Sequence, residues 1–155
     1  MTPVEKLRGV PAFAGLSEND LRDLAAALTK VNIRAGQDVI REGESRVEKQ
    51  GLFVLIEGQV RVSKKGRELA KLGPGTVLGE VELLTRVVPT ATVHADGDLV
   101  LFWLGRDRFD EMIRAGNLAV YRLVYNVARV LAARLRATDE RAVALVPASK
   151  ADWEA

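Results

Sequence analysis

The chain has no cysteine, a single histidine, five prolines and few aromatic side chains, which make up 5% of its residues. Without cysteine there is no disulfide framework, no thiolate metal site and no cysteine nucleophile. Strand alternation sets His94 opposite Val93 and Ala95, facing water, so a haem or metal role for it is not expected. The acidic pairs Glu42/Glu44 and Asp139/Glu140 lack a partner set for catalysis or a metal cage. No catalytic residue and no metal ligand is therefore nominated, and an enzyme is not expected. No apolar run reaches the ~18 residues needed to cross a bilayer, and the N-terminus lacks a signal-peptide pattern. The expectation is a cytoplasmic chain without membrane contact. With 23 Lys and Arg against 21 Asp and Glu, the charge is nearly balanced and no basic stripe points to nucleic acid.

What is present is enough for one domain with a full core: 155 residues, 48% of them apolar. Val4 to about Lys30 reads as helical. Ser17 ahead of Glu18-Asn19-Asp20 is an N-cap with an acidic first turn, and Leu21, Leu24, Ala25 and Leu28 follow at helical spacing. From Ile33 to Leu104 the texture changes to short β-runs, with glycines such as Gly36, Gly43, Gly51, Gly58 and Gly66 recurring every seven or eight residues. Short strands at regular spacing, with turns such as Lys64-Lys65-Gly66 and Gly73-Pro74-Gly75 between them, argue a β-sandwich or barrel. The last run, Leu99 to Leu104, is apolar throughout, as expected of a strand covered on both faces. Glu48, Lys49 and their neighbours read as a solvated loop.

After Gly105 the chain turns helical again, first over Asp107 to Arg114 and then, past Gly116-Asn117, from about Leu118 to Leu145. Val120, Val124, Val127, Leu131 and Leu135 recur at threes and fours along this last helix. That stripe has more apolar length than one small sandwich can cover, so it is the candidate face of a homodimer; the alternative is a helix folded back on its own domain. The expected organisation is one domain over 1–145, with N-terminal helices at 1–32, a β-roll at 33–104 and C-terminal helices at 105–145. A tail follows at 146–155, where Trp153 is either frayed or an interface anchor.

The most informative run is Leu78-Gly79-Glu80-Val81-Glu82-Leu83-Leu84, followed by Pro89-Thr90-Ala91-Thr92-Val93-His94-Ala95. A Gly-Glu pair opening a short helical turn brings free backbone N–H groups and a carboxylate together, a setting that suits an anion and a sugar hydroxyl. This run resembles the phosphate-binding cassette of cyclic-nucleotide-binding domains, where the pattern is roughly Phe-Gly-Glu-Leu-Ala-Leu, a short gap, then Pro-Arg-Ala-Ala-Thr-Val. The resemblance extends over roughly residues 10 to 145 and is to the sensor half of the cAMP receptor and Fnr-type regulators. It implies a mainly β fold: a jelly-roll β-sandwich with N-terminal helices and a long C-terminal dimerisation helix.

The resemblance also implies roles. Glu80 would accept from the ribose hydroxyl, and Gly79, Val81, Leu83 and Ala91 would complete the cassette. Thr138-Asp139 stands where the family presents a Thr-Ser pair to the purine base. The cassette arginine falls on Pro89, or on Thr90 if the gap shifts by one, and neither donates a charged fork. Glu82 replaces a small residue whose amide meets the phosphate. Losing a charge-assisted bond costs roughly 1.5–3 kcal/mol, and a like charge at about 4 Å on the order of 4 kcal/mol. Together these lower affinity by a factor of about a thousand or more. Two arrangements would restore it: Glu82 pointing away, or Arg86 swinging in.

The implied function is a regulatory ligand-sensing module whose cAMP or cGMP binding is weak or lost, acting through a protein partner not identifiable from sequence. The rival is a ligand-free interaction domain that keeps the sandwich for stability. Only Val146 to Ala155 follow the long helix, too little for the helix-turn-helix domain of related activators, so direct DNA binding is not expected.

Overall fold

The computed structural model describes residues 1–145, with side chains through Asp139. Two capping boxes start the N-terminal helices. Thr2 and Glu5 close α1 (Pro3–Arg8), and Ser17 and Asp20 close α2 (Glu18–Ala27), each hydroxyl accepting from the N3 amide while the acid accepts from the cap amide. A 3-10 turn at Pro11–Phe13 joins them. The helical stretch expected to reach Lys30 ends earlier, because Thr29–Ile33 is already strand β1.

Seven further strands follow: β2 (Asp38–Ile40), β3 (Gly51–Glu57), β4 (Val60–Lys64), β5 (Arg67–Leu72), β6 (Val77–Leu78), β7 (Thr92–Ala95) and β8 (Leu99–Gly105). They form two four-stranded sheets, ordered β1-β8-β3-β6 and β2-β7-β4-β5, with every pairing antiparallel. Helix α3 (Glu80–Thr85) lies between β6 and β7, and α4 (Arg106–Arg114) and α5 (Leu118–Leu145) end the described chain. The expected mainly β sandwich with flanking helices is what the chain forms.

Within the first sheet β3 and β8 are covered on both faces, which explains why they are nearly continuous apolar runs, while β1 at the edge is largely exposed. Phe53, Leu55, Leu99 and Leu101 point into the roll and meet Val60, Val93 and Ala95 of the second sheet. The alternate residues Leu52, Val54, Phe102 and Leu104 point outward, against Leu7, Phe13, Leu24, Phe109, Leu123 and Val127 of the helical layer. This layer corrects the expected dimer face. Val120 and Val127 are buried in it, and Val124 and Leu131 pack against it, so of the five residues nominated only Leu135 is exposed. The helix is folded back because its own domain grips it. Arg122 donates to Asp20 at 2.7 Å, and Asn126 donates to the carbonyls of Ala12 and Ala14 at 3.0 and 2.9 Å.

Candidate functional site

Gly79 sets the site. It caps α3 in the left-handed region, at φ 80°, and a Cβ built there would stand 2.3 Å from the carbonyl oxygen of Gly51. Glycine is thus required twice, by conformation and by close approach. This contact lays the start of α3 directly against β3 and opens a cavity under it. Val39, Ile40, Gly51 and Phe53 form the apolar floor, with Gly79, Glu82 and Pro89 on the cassette wall. Asp38, Arg41, Glu44, Arg46, Lys49 and the buried Gln50 form the opposite lip. The cavity holds about 80 Å³ as it stands, less than the ~300 Å³ at the lower end of small-molecule sites.

Of the candidate residues, Gly79, Glu82 and Pro89 line this cavity, so Glu82 does not point away from it. The other candidates lie elsewhere. Glu80 is buried (8% exposed) on the far side of α3, with its carboxylate 3.7 Å from the Arg134 guanidinium of α5. Burial pushes its carboxyl above the ordinary value; its own backbone N–H and Arg134 offset part of this, and Glu82 adds to it. The expected ribose role of Glu80 is therefore corrected: at about 100° per residue, carboxylates two positions apart face opposite sides of a helix, and Glu82 takes the cavity side. Glu80 instead lines a second cleft of about 430 Å³ between α5 and the turn before β6, with Pro11, Pro74, Val127 and Leu131.

Leu83 belongs to the helical core, and Val81 is exposed. Arg86 does not swing in. It caps α3 in the left-handed region, at φ 64°, and its guanidinium is spent on Asp110 of α4, with one contact at 3.2 Å and a second, shorter one. That pairing holds the Asp110 carboxyl below its ordinary value. Thr90 is exposed and Ala91 half-buried, and neither lines the cavity. Thr138 and Asp139 are exposed on α5, where the Thr138 hydroxyl donates to the Arg134 carbonyl at 3.0 Å. Neither lines the cavity. Trp153 lies outside the described residues. His94 is half-buried rather than simply facing water, with Nδ1 2.9 Å from the Asp38 carboxylate.

Sequence reading missed the lip. Arg46 and Lys49 belong to the segment expected to be a solvated loop, yet a 3-10 turn at Val47–Lys49 brings it to the rim of the cavity. The one available signal was position: a charge-rich stretch running straight into the most apolar strand. Among the described residues no group of His, Asp or Glu could hold a metal ion, and no helix is long and apolar enough to cross a membrane.

Comparison with known proteins agrees with the fold and with the family resemblance. The cyclic nucleotide-binding domain family matches residues 30–116. A cGMP-dependent protein kinase from Caenorhabditis briggsae is 31% identical over 81% of this chain, which spans 16% of that kinase. The catabolite activator protein of Thermus thermophilus superposes with a TM-score of 0.73 at 28% identity, over 87% of this chain and 62% of that one. A second similar structure is the regulatory subunit of a cAMP-independent protein kinase A from Trypanosoma brucei. It is a variant with a glutamate replaced by alanine, a threonine by arginine and a valine by alanine, bound to cAMP in its A site. Its TM-score is 0.70 at 25% identity, over 83% of this chain and 46% of that one. The curated relatives are much longer than the segment this chain matches. With its two-sheet roll, its glycine-opened α3 and a match over more than half its length, the chain belongs to the cyclic nucleotide-binding domain family.

Proposed function

We propose that this chain is a cytoplasmic, non-catalytic regulatory module that senses a small ligand in the cavity under α3 and signals to a protein partner, with cyclic nucleotide binding much weakened. One observation carries the reading: Glu82 lines the cavity wall, and no arginine of the cassette does. The route outward runs through α4 and α5, which hold Arg86 and Glu80 from either side of α3. The trypanosome variant supports the charge argument, because the exchanges made in that cAMP-bound protein remove an acid and add a guanidinium. Calorimetric titration with cAMP and cGMP tests it, using the unmodified chain beside Glu82→Ala/Pro89→Arg. The expected result is weak binding by the former and at least a hundredfold gain in the latter. A double variant that binds no better than the unmodified chain would sink the reading. The ligand-free interaction domain remains as a second reading, favoured by the cavity's volume of about 80 Å³.

The module is further proposed to pair with a second copy through a different stripe of α5 from the one read in the sequence. Leu118, Tyr121, Tyr125, Ala128, Ala132 and Leu135 are all exposed and recur at alternating threes and fours. Arg122 and Arg129 border one edge of the stripe, so parallel pairing avoids setting like charges against each other. Sedimentation analysis is expected to show a dimer that Tyr125→Glu dissociates; a monomeric unmodified chain refutes the pairing.

A further inference from the structure

The cavity is electrically divided, and the division runs opposite to what the cassette would need. Asp38, Glu44 and Glu82 line it together with Arg41, Arg46 and Lys49. Four of these six charges are paired. Arg46 forks onto Glu44, with Nε at 3.0 Å and Nη2 at 2.8 Å, and Arg41 stands 3.5 Å from Asp38. Lys49 and Glu82 have no ion-pair partner among the described residues. Lys49 therefore stands at the lip outside any direct ion pair, adding to the field that holds the Glu44 carboxyl down, and Glu82 stands on the cassette wall outside any ion pair.

The backbone of the lip is tied down at both ends of the turn. The Lys49 amide donates to the Arg46 carbonyl at 3.2 Å, closing the turn between the two cations. Gln50, buried and lining the cavity, anchors the end of the turn. Its side-chain oxygen accepts from the Arg106 guanidinium at 2.8 Å, its carbonyl accepts from the Arg106 amide at 3.0 Å, and its side-chain amide lies 3.5 Å from the Val87 carbonyl.

We propose that the anionic group of the cavity's ligand is received at the lip by Lys49 and Arg46, while Glu82 accepts a hydrogen bond from a hydroxyl or amine at the ligand's other end. The ligand class is a small organic anion with donor groups at its far end, a description that a cyclic nucleotide turned end for end satisfies. An anion seated against α3 would meet Glu82 at close range and leave Lys49 idle; the reversed seat matches both charges at once. Glu44 serves by holding the Arg46 fork toward the cavity while remaining ionised, since Arg46 keeps its carboxyl down at about 2.

This inference rests on the cavity being the ligand site, and the sign of two single substitutions tests it separately. The probe is cAMP at up to millimolar concentration, read by calorimetry, against the unmodified chain, Lys49→Gln, Lys49→Arg and Glu82→Gln. Lys49 is exposed, and an unchanged melting temperature checks that its variants are folded. The reversed seat predicts that Lys49→Gln weakens binding about tenfold or more, that Lys49→Arg retains it, and that Glu82→Gln fails to strengthen it. A tenfold gain in Glu82→Gln with Lys49→Gln within about twofold of the unmodified chain would overturn the proposal and return the anion to α3. Absence of any binding by the unmodified chain overturns it too. In that case binding by Glu82→Ala/Pro89→Arg keeps the cavity as the ligand site, and no binding by that variant removes both readings.

Discussion

Glu80 and Glu82 stand two residues apart in the same six-residue helix and meet opposite surroundings. Glu80 is buried between α3 and α5, where the Arg134 guanidinium is its nearest countercharge. Glu82 opens onto the cavity, with no countercharge among the described residues. The same side chain is thus a structural tie in one place and a ligand-facing charge in the other. Neither propensity nor composition distinguishes them; the direction each faces does.

The largest way to break this contrast is to displace the helix itself. Gly79→Ala forces a left-handed backbone on a residue with a Cβ and drives that Cβ to 2.3 Å from the Gly51 carbonyl. The cost is about 3 kcal/mol, or roughly 6–12 °C in thermal unfolding for a chain of this size. Both carboxylates would lose their settings together. A melting temperature within about 2 °C of the unmodified chain would mean that α3 is not pinned to β3.

Next in size is the pH response of Glu80. Its folded-state value is raised above the ordinary 4.5, so the stability it contributes is complete below about 4.5 and is lost as pH rises through the folded-state value. Glu80→Gln removes that loss. Melting curves between pH 4 and 8 are therefore expected to favour the variant increasingly with rising pH. Parallel curves for the two proteins would contradict a buried, neutral-preferring carboxyl.

Arg134→Ala acts in the opposite direction on the same group. Stripping the guanidinium leaves the Glu80 carboxylate buried without its countercharge, so stability should fall more steeply with pH than in the unmodified chain. The arginine is half-exposed, and the effect near neutrality is about 0.5 kcal/mol. Chemical denaturation at pH 5 and pH 8 measures it, and equal losses at the two values would argue against coupling. Smallest of all is Glu82→Gln, expected to change stability by no more than about 0.5 kcal/mol. A larger stability change there would mean that Glu82 is a packing residue and that the contrast with Glu80 is false.

The fold was legible because its signals are local. Ser17 with Asp20, the glycine-spaced apolar runs and the Gly79-Glu80 pair each announce an element within a few residues of themselves. The site was legible in part, as Gly79, Glu82 and Pro89 on one wall. Its other wall was not, because Arg46 and Lys49 carry no motif and reach the cavity through a turn anchored by Gln50 and Arg106, 56 residues apart. Along α5 the helical period was visible, but two apolar stripes share it. Val120, Val124 and Val127 read as the outer one in the sequence but pack inward.

The amino-acid sequence by itself determined the order of helices and strands, the position of the cassette and the loss of its guanidinium. Periodicity, capping and residue identity are properties of neighbours along the chain. Only the tertiary structure decided which way each charge turns: Glu80 to Arg134, Arg86 to Asp110, Glu82 to the cavity, and the inner stripe of α5 to its own domain. Those choices depend on what lies opposite each face once distant segments pack, and a helix alone presents all of its faces equally.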